Sequence, residues 1–216
     1  MSSRSYKPAL AYRVLTPLYD GAVELAGFGS AFKRHVAALL HVQPAEAVLD
    51  LGCGTGTLLA ALVDSEPAAS YVGVDPDPEV LAIARRRLAG TNGQVELATA
   101  YAQDLPFPDA HFDAVVSTLV FHHLPDDVKG QTLTEVRRVL RSDGRFLLVD
   151  VGRPQSRLGQ VLLGLGSLFD GRANTRANRA GELPVMVQGA GFAVTEAATP
   201  YRAMLYLRAR PSKSGT

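Results

Sequence analysis

The sequence contains a single cysteine, Cys53. A disulfide framework within the chain and a zinc site built on paired cysteines are thereby excluded. Net charge is almost absent: 22 Lys plus Arg face 21 Asp plus Glu, leaving +1. No global field draws such a chain to nucleic acid or to an anionic membrane. No run approaches the ~20 apolar residues needed to span a bilayer. The opening stretch "MSSRSYKPALAYRVL" lacks the apolar core and small-residue cleavage site of a signal peptide. These absences lead us to expect a cytoplasmic protein with no nucleic-acid partner and no stable membrane insertion, transient membrane contact aside. Internal repeats are also missing, and the only biased stretch is "GRANTRANRAG" at 171–181.

What is present reads as one domain. The 216 residues are 47% apolar and 20% charged, enough for one sizeable core and an ordinary globular balance. Apolar segments and helical periods alternate. "AFKRHVAALL" (31–40) places Phe32, Val36, Leu39 and Leu40 on one helical face. Strands are expected at "AVLDL" (47–51), "YVGVD" (71–75), "QVELATA" (94–100), "FDAVVSTL" (112–119) and "RFLLVDV" (145–151). Between them lie a helix from Thr57 to about Val63, and a helix with Val80, Ile83, Ala84 and Leu88 inward and Arg85 and Arg86 outward. A third, at 131–140, aligns Leu133, Val136 and Leu140, and Asp143–Gly144 turns the chain into the fifth strand. A short helix at 183–191 and a strand pair, "FAVTEAAT" with "AMLYLRAR", close the chain. Strands apolar on both faces and separated by helices predict a doubly wound, Rossmann-like α/β fold with a mostly parallel seven-stranded sheet. We divide the single domain into an N-terminal helical cap (1–44), a core (45–151), a segment over the substrate (152–182) and the closing helix and strands (183–216).

The stretch "VLDLGCGTGTLLAAL" ends an apolar strand with Asp50, places glycine at 52, 54 and 56, and then starts a helix. Missing Cβ atoms permit unusual backbone angles and let a ligand approach the main chain. The spacing differs from the G-x-G-x-x-G of dinucleotide binders. The next strand ends in Asp75, where a carboxylate can accept hydrogen bonds from both hydroxyls of a ribose. Asp75 also suits a helix N-cap before "PDPEVLAIA", and the two roles are compatible.

"VLDLGCGTGTLL", "YVGVDPDPEVLAIAR", "DLPFPDAHFDAVVSTLVFHHL" and "EVRRVLRSDGRFLLVD" together resemble a class I S-adenosylmethionine-dependent methyltransferase. The branch they resemble includes the ubiquinone and menaquinone C-methyltransferases. The resemblance runs from about 45 to 151 and is specific for cofactor and fold rather than for substrate. It implies S-adenosyl-L-methionine as cofactor. Asp50 and the backbone of Gly52, Cys53 and Gly54 would hold the amino and carboxylate ends of its methionine part. Asp75 would take the ribose, with Pro76 beside the adenine; Tyr101, Ala102 and Gln103 would meet the adenine edge, and Ser117 would line the methionine side. Relatives often read G-D-A-E-D-L-P-F where this chain reads "AYAQDLPF". Tyr101 therefore stands in place of the aspartate that takes the adenine amine, and either Tyr101 packs on the ring or Asp104 does that job. A cofactor without phosphate needs no basic cradle, and residues 50–57 contain no Lys or Arg. The lack of a P-loop lysine disfavours a nucleoside triphosphate. Cys53 reads as a small packing residue rather than a nucleophile.

His122 and His123 follow the fourth strand, at the sheet edge where open α/β folds bind ligands. Either can serve as a base toward a hydroxyl or amine at neutral pH. The family pattern carries one histidine before the leucine, which favours His123; capping or packing is the alternative role. Near the N-terminus "LTPLYDGAVELAG" resembles a segment that folds over the cofactor, so Tyr19 is a third candidate, with an aromatic anchor as its alternative. In "RLGQVLLGLGSLF" (157–169) the residues Leu158, Val161, Leu162, Leu165, Leu168 and Phe169 share one face. Its glycines each cost an exposed helix up to ~1 kcal/mol, so an apolar lid is expected; a helix simply covering the sheet is the alternative. Arg172, Arg176 and Arg179 suit either an anionic acceptor or a solvated connector.

The function expected is methyl transfer to a small hydrophobic or aromatic acceptor at O, N or C, with a quinone precursor or a phospholipid headgroup within that class. An NAD-dependent oxidoreductase is disfavoured by the glycine spacing. A non-catalytic cofactor binder is disfavoured by the intact loop and Asp75. A nucleic-acid or protein methylation site of the N-P-P-Y type is disfavoured because the fourth strand ends "STLV". No metal is expected.

Overall fold

The computed structural model describes residues 29–92, 94–153, 174–196 and 204–212. A seven-stranded sheet runs in the order β3-β2-β1-β4-β5-β7-β6. Its strands are β1 (Ala47–Leu51), β2 (Ser70–Asp75), β3 (Gln94–Thr99), β4 (Phe112–Thr118), β5 (Leu140–Val151), β6 (Phe192–Glu196) and β7 (Met204–Pro211). β1 to β5 pair in parallel, and β7 is antiparallel to both β5 and β6. The strand order reverses between β1 and β4. In open α/β sheets that reversal opens a crevice outside the carboxyl ends of the strands.

Helices α1 (Ser30–Leu40), α2 (Thr57–Ser65) and α3 (Pro78–Leu88) cover one face. Phe32, Val36, Leu58, Leu62, Leu81 and Ala84 pack there on Val48, Ala114, Val116 and Tyr206. Helices α4 (Asp126–Val139) and α6 (Leu183–Gly189) cover the other, with α5 (Arg176–Ala180) just before α6. Leu133, Val136, Leu183 and Val187 pack on Leu49, Leu51, Val115, Phe146 and Leu148. Adjacent strand residues such as Val48 and Leu49 thus feed opposite cores, as a period of two requires. Fully burying each such side chain is worth about 1.5–3 kcal/mol. No helix among the described residues is long and apolar enough to cross a membrane.

Several local expectations shift. In α1 it is Ala37 rather than Leu39 that is buried with Phe32, Val36 and Leu40. In α3 the inward residues are Leu81, Ala84 and Leu88, whereas Val80 and Ile83 are only partly covered. Leu140 opens β5 instead of closing α4. The turn expected at Asp143–Gly144 is an irregularity within β5: Phe112 pairs with Leu140, but Ala114 pairs with Arg145. A Cβ on Gly144 would lie 2.9 Å from the Asp113 carbonyl oxygen, so the glycine lets the strands rejoin after the bulge. Within 171–181, residues 176–180 form a helix. Arg176 is bound there by Asp126 at 2.7 Å and Glu182 at 3.0 Å, so it is a connector's ion pair and is not held out for an anion. Arg172, the 157–169 segment and Tyr19 lie outside the described residues.

Candidate active site

Four loops meet at the carboxyl edge: the glycine loop after β1, Asp75–Asp77 after β2, Tyr101–Asp104 after β3 and Leu119–His123 after β4. In the glycine loop, Gly52 and Gly54 have φ of +75° and +54°. A Cβ at Gly52 would fall 2.3 Å from Cγ2 of Val120, so the loop after β4 packs directly on this bare backbone. A Cβ at Gly54 would meet nothing within 4 Å. Gly54 therefore bounds open space, where a ligand can reach main chain.

The N–H groups of Gly52, Cys53 and Gly54 are already engaged. Those of Gly52 and Cys53 donate to the Val74 carbonyl at 2.8 and 2.9 Å, and that of Gly54 donates to Asp75 Oδ2 at 3.1 Å. What these three residues offer a ligand is carbonyl oxygen, which suits an ammonium better than a carboxylate. Cys53 is buried, and burial pushes its thiol well above the usual range. It packs rather than attacks.

Asp50 is 1% exposed, and neither of its carboxylate oxygens accepts a hydrogen bond among the described residues. Burial pushes its pKa up to about 7; the Lys33 ammonium pulls against this and Asp75 adds to it. A buried carboxylate without donors is costly unless a cation pairs with it. Asp75 is half-buried and accepts from the N–H groups of Gly54 and Asp77 at 3.1 and 3.0 Å. Burial raises its pKa, and those two N–H groups pull part of the shift back. Asp75 does not cap α3. That role belongs to Asp77, whose Oδ1 accepts from Glu79 and Val80 at 2.8 and 3.4 Å. Each Asp75 oxygen keeps acceptor capacity for a diol.

Pro76 follows Asp75, half-buried. Tyr101 is 46% exposed and bridges to Asp104 across a turn whose closing hydrogen bond runs from Asp104 N–H to the Tyr101 carbonyl at 3.0 Å. Ala102 and Gln103 form the turn between them, half-buried. Arg138 on α4 holds the following stretch, donating to the Leu105 and Phe107 carbonyls at 3.0 and 2.7 Å and to Glu135 and Asp109. Ser117 is fully buried, and its hydroxyl donates to the Leu51 carbonyl at 3.1 Å, stitching β4 to β1. This is a structural bond beside the role expected for it.

The two histidines form a one-turn 3-10 helix at Phe121–His123, after Leu119 has taken a φ of +60°. That backbone conformation is unfavourable for leucine and turns the chain sharply at the strand end. His122 is 9% exposed, and its Nδ1 lies 2.9 Å from Oδ1 of Asp150 near the end of β5. The half-buried His123 ring stacks at 3.9 Å, tilted by 43°. Between these residues it is His122, where His123 was favoured, that is seen bound to the Asp150 carboxylate. Burial alone would raise the pKa of Asp150, but the His122 ring and the N–H groups of Val151 and Phe121 hold it below the usual carboxylate range.

Asp150 was given no role from sequence, although it repeats a visible pattern. Like Asp50 and Asp75, it lies at or near the carboxyl end of an apolar parallel strand. Lys129 gave no such signal; it is fully buried and donates to the Leu124 and Asn174 carbonyls and to Asp126. Among the described residues no group of three His, Cys, Asp or Glu side chains is placed to hold a metal.

This geometry fits a cationic nucleoside, with a buried carboxylate lacking a partner, a bare turn with space above it, and a carboxylate at the next strand end. Comparison with known proteins agrees. Residues 48–144 match the methyltransferase domain family. A demethylmenaquinone methyltransferase of Thermus thermophilus is 36% identical over 142 residues, 65% of this chain and 64% of that protein, so the match spans under two thirds of the relative's length. Another, from Deinococcus radiodurans, is 31% identical over 170 residues, 74% of this chain and 70% of that protein. Among solved structures, an S-adenosylmethionine-dependent methyltransferase from Aquifex aeolicus superposes with a TM-score of 0.65 at 18% identity, over 82% of this chain and 88% of that one. A mitomycin 7-O-methyltransferase gives 0.70 at 21% identity, over 85% and 55%. At such identities these structures bear on fold alone. The chain belongs to the class I S-adenosylmethionine-dependent methyltransferases. Within that family it is most readily placed beside the ubiquinone and menaquinone C-methyltransferases, which it resembles in sequence.

Proposed function

We propose that this protein methylates the ring of a hydroxylated, quinol-type aromatic acceptor, with S-adenosylmethionine as donor. The observation that carries the reading is the 2.9 Å contact between His122 Nδ1 and the buried Asp150 carboxylate at the carboxyl edge of the sheet. The names of the relatives, demethylmenaquinone methyltransferases, support the acceptor class.

Asp50 would neutralise the cofactor's ammonium, Asp75 would accept from its ribose hydroxyls, and the 101–103 turn would lie along the adenine. When bound, the cofactor supplies a methyl group already activated by sulfonium charge. The protein's task is then to position the acceptor and exclude water, for which effective molarities worth roughly 7–11 kcal/mol are known.

An ionised Asp150 can only accept, so neutral His122 keeps its proton on Nδ1 and Nε2 is the basic atom. Nε2 takes the proton of the acceptor's ring hydroxyl. With S-adenosylmethionine bound, the electron density so released would form the new carbon–methyl bond, and sulfur would keep the electron pair of the bond it loses. Loss of the ring proton to water restores the aromatic ring, and Nε2 returns its proton to the ring oxygen. The test is methyl transfer from labelled S-adenosylmethionine to a short-chain demethylmenaquinol, with phosphatidylethanolamine and catechol alongside. Label in the quinol supports the proposal; label only in the lipid amine or the catechol oxygen refutes it.

A further inference from the structure

Asp150 is bound by more donors than a simple acid–base pair requires. Oδ2 accepts from the N–H of Phe121 at 2.8 Å. Oδ1 accepts from Val151 N–H at 2.7 Å, His122 Nδ1 at 2.9 Å and Asn178 Nδ2 at 3.0 Å. Three of these donors come from β5 or from the turn after β4. The fourth is brought in by α5.

Asn178 is 1% exposed, and its Nδ2 also donates to the Val151 carbonyl at 3.0 Å. A carboxylate and a carbonyl accept only, so both contacts demand the NH2 end of the amide and its orientation is fixed. Its Oδ1 is left buried and accepts no hydrogen bond among the described residues. An orphaned buried acceptor is a standing cost, so packing alone favours an apolar side chain here. Docking of α5 does not need the amide either. Lys129 and Asp126 hold the neighbouring Asn174 and Arg176, and Asn174 Nδ2 donates to the His123 carbonyl at 2.8 Å.

We propose that Asn178 is a positioning residue for His122: it completes the donor set of Asp150 and fixes the carboxylate orientation that keeps the imidazole proton on Nδ1. The proposal rests on the reading of His122 as the base. Without Asn178, Oδ1 loses one of its three donors and Val151's carbonyl loses its partner. The carboxylate is then freer to rotate, and His122 exchanges between tautomers of which only one presents a basic Nε2.

The test is the ring-nitrogen NMR spectrum of His122 in the full chain, uniformly labelled with nitrogen-15 and assigned with His122→Gln. The wild type is expected to show one tautomer, protonated on Nδ1. Asn178→Leu is expected to show mixed tautomers and a kcat about tenfold lower toward demethylmenaquinol, with KM for S-adenosylmethionine unchanged. Asn178→Gln, which keeps the amide one methylene displaced, guards against misfolding and should show a smaller shift of the same kind. An unaltered His122 spectrum in either folded variant overturns the proposal, even if activity falls. Full activity in His122→Gln would instead sink the base reading and leave the spectral test of Asn178 intact.

Discussion

Asp50 and Asp150 lie near the carboxyl ends of two parallel strands, 1% and 0% exposed, yet their acidities move in opposite directions. Asp50 has no hydrogen-bond donor among the described residues and is raised to about 7. Asp150 has four donors and is lowered. Burial is common to both, so the donor set decides. One half of the crevice is left electrostatically incomplete, which favours a cationic ligand. The other half is complete in itself, which favours a fixed base.

The largest effect should come from the completed half. His122→Asn removes the proposed base and should lower methyl transfer about 10²- to 10⁴-fold, while calorimetry should show unchanged affinity for S-adenosylhomocysteine. A parallel loss of affinity would blur the division between the two halves.

Next comes Asp50→Asn. Losing a hydrogen bond to a charged group should weaken S-adenosylmethionine binding about 10- to 100-fold. Stability of the ligand-free protein should move the other way. Because folding raises the pKa of Asp50, its contribution to stability is full below its unfolded value, ~4. That contribution drains away as pH rises through about 7. Thermal melts of Asp50→Asn should therefore show a higher midpoint than wild type on the alkaline side and no gain at acid pH.

Gly52→Ala should destabilise by about 1–3 kcal/mol through overpacking and the positive φ. The new Cβ meets Val120 at 2.3 Å, so Val120→Ala in the same chain should recover part of the loss in a denaturant titration. The smallest change is Asp77→Ala, about 1 kcal/mol for a lost N-cap. Cofactor affinity should survive it, since Asp75 and not Asp77 is assigned to the ribose.

The fold was largely legible because apolar strands and helical periods alternate with few exceptions. The exceptions have local causes. Ala84 and Leu88 are inward as expected, but Leu81 is buried in place of Val80 and Ile83. Asp77 and Pro78 fix where α3 begins and so which residues of its first turns face the sheet. The Asp143–Gly144 turn became a bulge because β4 and β5 resume pairing beyond it.

In the candidate site, the glycine turn and Asp75 were singled out by their spacing and position, and Asp50 by the family resemblance. The contact of His122 with Asp150 was not legible, because Asp150 lies 28 residues away in sequence. Asn178 and Lys129 were invisible for the same reason: a polar residue inside a basic, asparagine-rich stretch or on a helix reads as solvated until its partners are known.

The contrast between the two aspartates is tested most directly by carboxyl carbon-13 NMR, following both side chains in the ligand-free protein from about pH 5 to about pH 9. Asp50 should titrate with a midpoint near 7 and become ionised throughout that range when S-adenosylmethionine is added, while Asp150 stays ionised and flat. An Asp150 signal that titrates in this range, or an Asp50 signal that ignores both pH and ligand, would contradict the assignment of the two halves.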